Sequence, residues 1–142
     1  MSMYDALNIG FNSEHRLIIT RPEGVLDDHS ARDLLNFLLA LEEVAEPFNR
    51  VADIRLATDI SLSTAAILEY AERRLQNLAH LAPFRAAIIA TSPDGQAAGH
   101  LYATLMKGSK VAVGVFPNSS SAAQWLGVPE DALRPQSAPR PV

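Results

Sequence analysis

Two spacings of apolar residues run through this sequence, first every second position and then every third or fourth. Leu7, Ile9 and Phe11 alternate with Asn8 and Gly10, as in a half-buried strand. Asn12-Ser-Glu-His15 predicts a turn, and Arg16–Thr20 a second strand paired with the first as a hairpin. Pro22-Glu-Gly24 interrupts and Val25-Leu26 returns briefly. Asp27-Asp28 then offer N-cap side chains and negative charge at the positive end of a helix. That helix is expected from about His29 to Glu46, stopped by Pro47. Its main apolar stripe is Ala31, Leu34, Leu35, Leu38, Leu41 and Ala45. Phe37, Leu39 and Val44 widen the stripe beyond what one sheet face needs. Leu35, Phe37, Leu39 and Val44 are therefore candidates for contact with a second subunit, as in a homodimer.

Val51-Ala-Asp-Ile54 predicts a third strand that ends in Asp53 and crosses a polar loop into a second helix near Ser63. That helix is expected to bury Leu68, Ala71, Leu75, Leu78 and Ala82, with Glu69 and Arg73 four apart as a supporting pair. Ala86–Ala90 is apolar throughout, the mark of an interior parallel strand. Ser92-Pro93-Asp94 starts a third helix, which buries Ala98, Leu101, Tyr102, Leu105 and Met106 and ends at Lys107-Gly108. Val111–Phe116 is the fifth strand. Ser119-Ser-Ser121 is expected to cap a short helix delivering Trp125 and Leu126 to the core, with one more turn over Pro129–Leu133. The order β-β-α-β-α-β-α-β-α predicts an α/β fold: a mixed, mostly parallel sheet of about five strands, an N-terminal β-hairpin and about four helices. One domain over 1–133 and a Pro-bearing tail over 134–142 are expected.

Composition narrows the classes. A chain of 142 residues, 48% apolar and 20% charged, is an ordinary globular domain with a core of its own. A net charge of -4 without any run of Lys or Arg argues against a nucleic-acid partner. The absence of cysteine excludes disulfides and thiolate chemistry. The sequence shows neither a signal-peptide pattern nor a membrane-length apolar run, so a cytoplasmic protein without a membrane span is expected. His15, His29, His80 and His100 lack metal-ligand spacing, and no metal or cofactor is expected.

Three stretches together resemble a known family. Leu17-Ile-Ile-Thr-Arg-Pro-Glu-Gly-Val-Leu-Asp27 is similar to a strand followed by Gly-x-Leu-Asp/Thr, and Val51-Ala-Asp-Ile-Arg55 to a strand ending in Asp. Val115-Phe116 with Ala122-Ala-Gln-Trp-Leu126 is similar to a Val-Phe…Glu-Ala-x-x-Trp-Leu ending. In this order and spacing they resemble the STAS family, the sulfate-transporter and anti-sigma-factor-antagonist fold, and within it the bacterial SpoIIAA-like group of small stand-alone proteins. The resemblance implies a STAS-like fold and a regulatory role through protein contacts; it also brings in lipid-carrier domains, which some SpoIIAA-like proteins are suggested to resemble in fold. It departs at the phosphorylation motif: Leu62 stands where the family's phosphorylated Ser falls, flanked by Ser61 and Ser63, and the motif's Gly is absent.

Three functional readings follow. The first is a non-enzymatic regulatory or protein-interaction module. The second is a protein binding a small anionic ligand or lipid at the strand-end edge, where Ser61, Ser63, Ser92 and Ser119 would cluster at helix N-termini with Asp53 and Asp59. The third is an enzyme using Asp53 or Asp59 as acid or base. A cavity beneath the second and third helices favours ligand binding; a flat strand-end edge beside an apolar first helix favours protein contact.

Overall fold

The computed structural model describes residues 7–43 and 48–134. The hairpin forms as expected: β1 (Ile9–Asn12) pairs antiparallel with β2 (Leu17–Thr20), Ile9 opposite Thr20. β3 (Gly24–Asp27) leads into α1 (Asp28–Glu42), β4 (Asn49–Asp53) into β5 (Ala57–Ser61) and α2 (Thr64–Gln76). β6 (Phe84–Ile89), α3 (Pro93–Leu105), β7 (Val111–Phe116) and α4 (Ser119–Leu126) follow, with a 3-10 helix at Glu130–Leu133.

The main sheet has the order β1-β2-β4-β6-β7, and β2, β4, β6 and β7 are parallel. Each new parallel strand is added on the same side of the previous one. Right-handed crossovers then carry α1, α2 and α3 to a single face. α4 and the 3-10 helix cover the other, where Ala122, Ala123, Leu126, Ala132 and Leu133 pack on Leu17, Ile19, Val51, Ala87 and Ile89. Asn12 fastens that layer: its side-chain amide donates to the Ala132 carbonyl (3.1 Å) and its Oδ1 accepts from the His15 amide (3.1 Å). Asn12 is therefore buried and Phe11 exposed, the reverse of the alternation expected for β1.

Four helices start on one local device. Asp27, Ser63, Ser92 and Asn118 each accept the amide of the residue three positions on, satisfying a donor the helix leaves free. The cap of α4 is thus Asn118 rather than Ser119.

Three further expectations are corrected. The loop after β4 contains β5, which pairs in parallel with β3 to make a second, two-stranded sheet. Thr58, Asp59 and Ser61 hide this strand in the sequence; its inward residues Ala57 and Ile60 pack on Leu26, Ile54 and Ala90. α1 closes at Glu42, and the rest of its expected span falls on residues 44–47, which with the 135–142 tail lie outside the described residues. α2 is turned from its expected face: Ala71 and Leu78 are buried as expected, together with Ala66, Ile67 and Arg74, whereas Leu68 and Leu75 are each 45% exposed and Ala82 is exposed too. The expected Glu69–Arg73 pair opens outward to α1, Glu69 to Arg32 (3.5 Å) and Arg73 to Asn36 (2.8 Å).

Trp125 is half-buried on the α4 face, its ring 5.3 Å from Phe116 and beneath the Arg85 guanidinium. Gly114 makes room for this stack, since a Cβ there would come within 2.7 Å of the Phe116 ring. Trp125→Ala is expected to destabilise by about 2 kcal/mol, short of the 3–5 typical of a fully buried ring. A urea titration reads it, and an unchanged midpoint contradicts this packing.

Candidate functional site

Beneath α1, α2 and α3 the core divides. One cluster gathers Ala71, Leu78, Leu81, Phe84, Met106 and Val111; another gathers Leu26, Ile54 and Ala90. Residues of both line a cavity of about 160 Å³ between the sheet and the three helices. It exists because the facing positions are small: Ala31 on α1, Ala52 on β4, Ala66 on α2, Ala86 on β6, and Ala98 and Gly99 on α3. Gly99 sits so close to β7 that a Cβ would lie 3.1 Å from Val115. Leu62 is half-buried and lines the same space.

One wall is polar. Arg50, Tyr70, Arg74 and Tyr102 line it, and Glu42 stands behind, accepting from Arg50 Nη2 and Arg74 Nη1. Glu42 is 6% exposed, Arg50 7% and Arg74 2%. Arg50 Nε also donates to the Phe48 carbonyl (3.1 Å), and the Phe84 ring lies 4.2 Å from the Arg50 guanidinium and 5.9 Å from that of Arg74. Tyr70 and Tyr102 meet edge to face with ring centroids 5.3 Å apart. Burial pushes both phenols above their ordinary pKa, so they remain protonated donors at neutral pH. Among the described residues two guanidiniums share this one carboxylate, and the three groups sum to a charge of +1.

Each member occupies a position its element points inward. Glu42 continues the Leu35, Leu38 stripe of α1, Arg74 follows Ala66, Ile67, Tyr70 and Ala71 on α2, and Arg50 alternates with Val51 on β4. The sequence reading passed over all three. The signal available was a charged residue at an apolar-stripe position, which burial demands be paired.

The residues expected at the strand-end edge keep to partners within the fold. Asp53 is buried at the end of β4 and accepts from Arg55 Nε and Nη2 at 2.8 Å each, with Arg21 Nε 3.8 Å away. Burial alone would raise this carboxyl, but the Arg55 hydrogen bonds outweigh it and hold Asp53 below the ordinary value. Arg55 reaches on to Ser119 Oγ (2.9 Å), tying β4 to the first turn of α4. Asp59 is exposed and accepts from Ser61 Oγ (2.8 Å), so the two carboxylates have separate partners. Ser63 caps α2 and is engaged by the Asp28 carboxylate, which accepts its amide and its hydroxyl at 2.8 Å each. Ser92 caps α3. The positions offered to an outside anion are thus taken by this chain's own side chains. The topology agrees, because strands added always on one side leave no switch point at which a strand-end crevice opens.

The expected interface residues divide as well. Leu35 is 1% exposed and belongs to the core; Phe37 and Leu39 are half-buried; Val44 lies outside the described residues. The large exposed apolar residues among those described are Phe11, Val25, Leu56, Leu68 and Leu75, none of them on α1. Among the described residues no group of three or more His, Asp or Glu side chains could hold a metal ion, and no helix is long and apolar enough to cross a membrane.

No protein-family model and no curated protein sequence matches the chain. A solved structure does: an uncharacterized protein of the DUF3478 family from Shewanella loihica PV-4, described as having a SpoIIAA-like fold. It is 19% identical, with a TM-score of 0.55, over 85% of this chain and 92% of that one. The protein has a SpoIIAA-like fold. The hairpin, the mostly parallel sheet and the four helices expected from the sequence are those of this SpoIIAA-like architecture. At that level of identity the likeness carries the fold alone.

Two predictions follow. Glu42→Gln strands two guanidiniums in the SpoIIAA-like core and is expected to cost about 3–5 kcal/mol. Arg74→Met leaves a balanced Glu42–Arg50 pair and is expected to cost less; equal losses in chemical denaturation contradict the shared-carboxylate arrangement. Asp53→Asn is expected to cost about 2–3 kcal/mol at neutral pH. Because the folded-state pKa of Asp53 is depressed, its contribution is present above the unfolded value near 3.8 and is lost as pH falls below it. The gap between wild type and variant should therefore stay constant from about pH 5 to 8 and shrink in urea titrations as the pH falls below 3.8. A gap unchanged at acid pH contradicts the ionised role.

Proposed function

We propose that this protein is a non-enzymatic binding module that holds a small, largely apolar ligand beneath α1, α2 and α3. The observation carrying this reading is the cavity of about 160 Å³ and its lining of alanines and glycine. The space opens partly to solvent, so its apolar lining is wet when empty and would be covered by an apolar occupant. Six alanines and one glycine around one space leave room for such an occupant. An apolar cavity of roughly 150 Å³ is enough to take a benzene-sized molecule. The site lies under the helices, not at the strand-end edge. The protein-interaction reading draws on the family resemblance and the homodimer reading on an apolar first helix, whereas the large exposed apolar residues among those described lie elsewhere. The reading as an enzyme drew on Asp53 and Asp59, which are held by Arg55 and Ser61.

The test is calorimetric titration with 1-hexanol, alongside thermal unfolding with and without it. Binding is expected to carry a negative heat-capacity change and, at about 100 times the Kd, to stabilise by about 2.7 kcal/mol. Ala98→Leu, which fills the cavity, is expected to leave the free protein as stable as wild type or more so and to abolish the titration. A protein that takes up no hexanol, or an Ala98→Leu variant that binds it unchanged, contradicts this function.

A further inference from the structure

The polar wall of the cavity goes further than the void itself, and it rests on the ligand-binding reading. We infer that the ligand is a small apolar monoanion, a carboxylate whose charged end meets Arg50 and Arg74 while its body occupies the alanine-lined space. The polar side chains lining the cavity, Thr20, Arg50, Tyr70, Arg74 and Tyr102, all carry donor groups, and among the described residues no carboxylate lines it. Glu42 lies behind the two guanidiniums and balances one of them. The other is a buried positive charge with no second carboxylate against it among the described residues, a state that costs several kcal/mol unless an anion completes it. One added negative charge brings the cluster to neutrality.

The geometry selects the shape of that anion. Glu42 and the Phe48 carbonyl fix Arg50 from one side and the Phe84 ring packs against its guanidinium, so the donor fork is oriented before any ligand arrives. A planar fork of parallel N–H donors matches a planar carboxylate with two hydrogen bonds. The remaining volume takes a short chain or a single ring, and its apolar lining offers nothing to a polar body.

Hexanoate and 1-hexanol, equal in chain length and different in the head, test this in the wild-type protein at about pH 7. Hexanoate is expected to bind at least tenfold more tightly by calorimetry. Arg74→Met is expected to bring the two within about threefold, chiefly by weakening hexanoate. Circular dichroism reports whether that variant folds, and Arg50→Met makes the same test from the strand. Should neither fold, the wild-type comparison decides alone. Equal affinities, or tighter hexanol, overturn the anionic assignment and leave the cavity reading in place. A hexanoate preference that survives both substitutions places the charge recognition elsewhere and overturns it too. Failure of both probes to bind overturns the cavity reading and this inference together.

Discussion

Glu42 is the buried carboxylate at which α1, α2 and β4 of this fold meet. It stands at the last turn of α1 and accepts from a guanidinium on β4 and another on α2, so three elements distant in sequence meet at two oxygens. Buried charge tolerates little misplacement, because each guanidinium that loses its partner bears the full penalty of desolvation. The helices can therefore slide over the sheet only by breaking these bonds. That fixes α1 and α2 above β4, and with them the height of the space between. The Phe84 ring under Arg50 and the tyrosine pair between α2 and α3 fill the remaining contacts around the charges.

The strand order determines what that space can be. A sheet built by adding parallel strands to one side sends every crossover helix to the same face. Three helices must then tile one surface while α4 and the 3-10 helix cover the other. Tiling leaves a seam. Here the seam is lined by Ala and Gly on facing elements, so two apolar clusters stay apart and a cavity remains between them. The strand ends, by contrast, are closed chemically: each helix N-terminus there carries its own cap, and Asp28 occupies Ser63.

Much of the fold was legible because it is written in local rules. Ser92-Pro93 opens α3, Asp27 caps α1, and the alternation in β6 and β7 gives way to continuous apolar runs where both faces are covered. What stayed hidden depends on partners far along the chain. β5 is polar and short, and it is a strand only because β3 lies beside it. The outward-facing leucines of α2 outnumber what solvent usually receives, so periodicity alone turned the helix the wrong way. Arg74 facing Glu42 decides the rotation, and a pair separated by 32 positions leaves no local trace. Asp53 and the hydroxyls drew the eye as chemistry at a strand end, where they hold partners within the fold, while Glu42, Arg50 and Arg74 of the candidate site were passed over.

The central claim is that the space under the three helices persists as an apolar cavity bounded by a cationic wall. Crystallography of the protein under xenon pressure addresses it directly, since xenon enters apolar cavities of this size. The account predicts an anomalous peak between Ala86, Ala98 and Gly99, with Arg50 and Arg74 still joined to Glu42 beside it. Helices closed onto the sheet with no xenon density would contradict it.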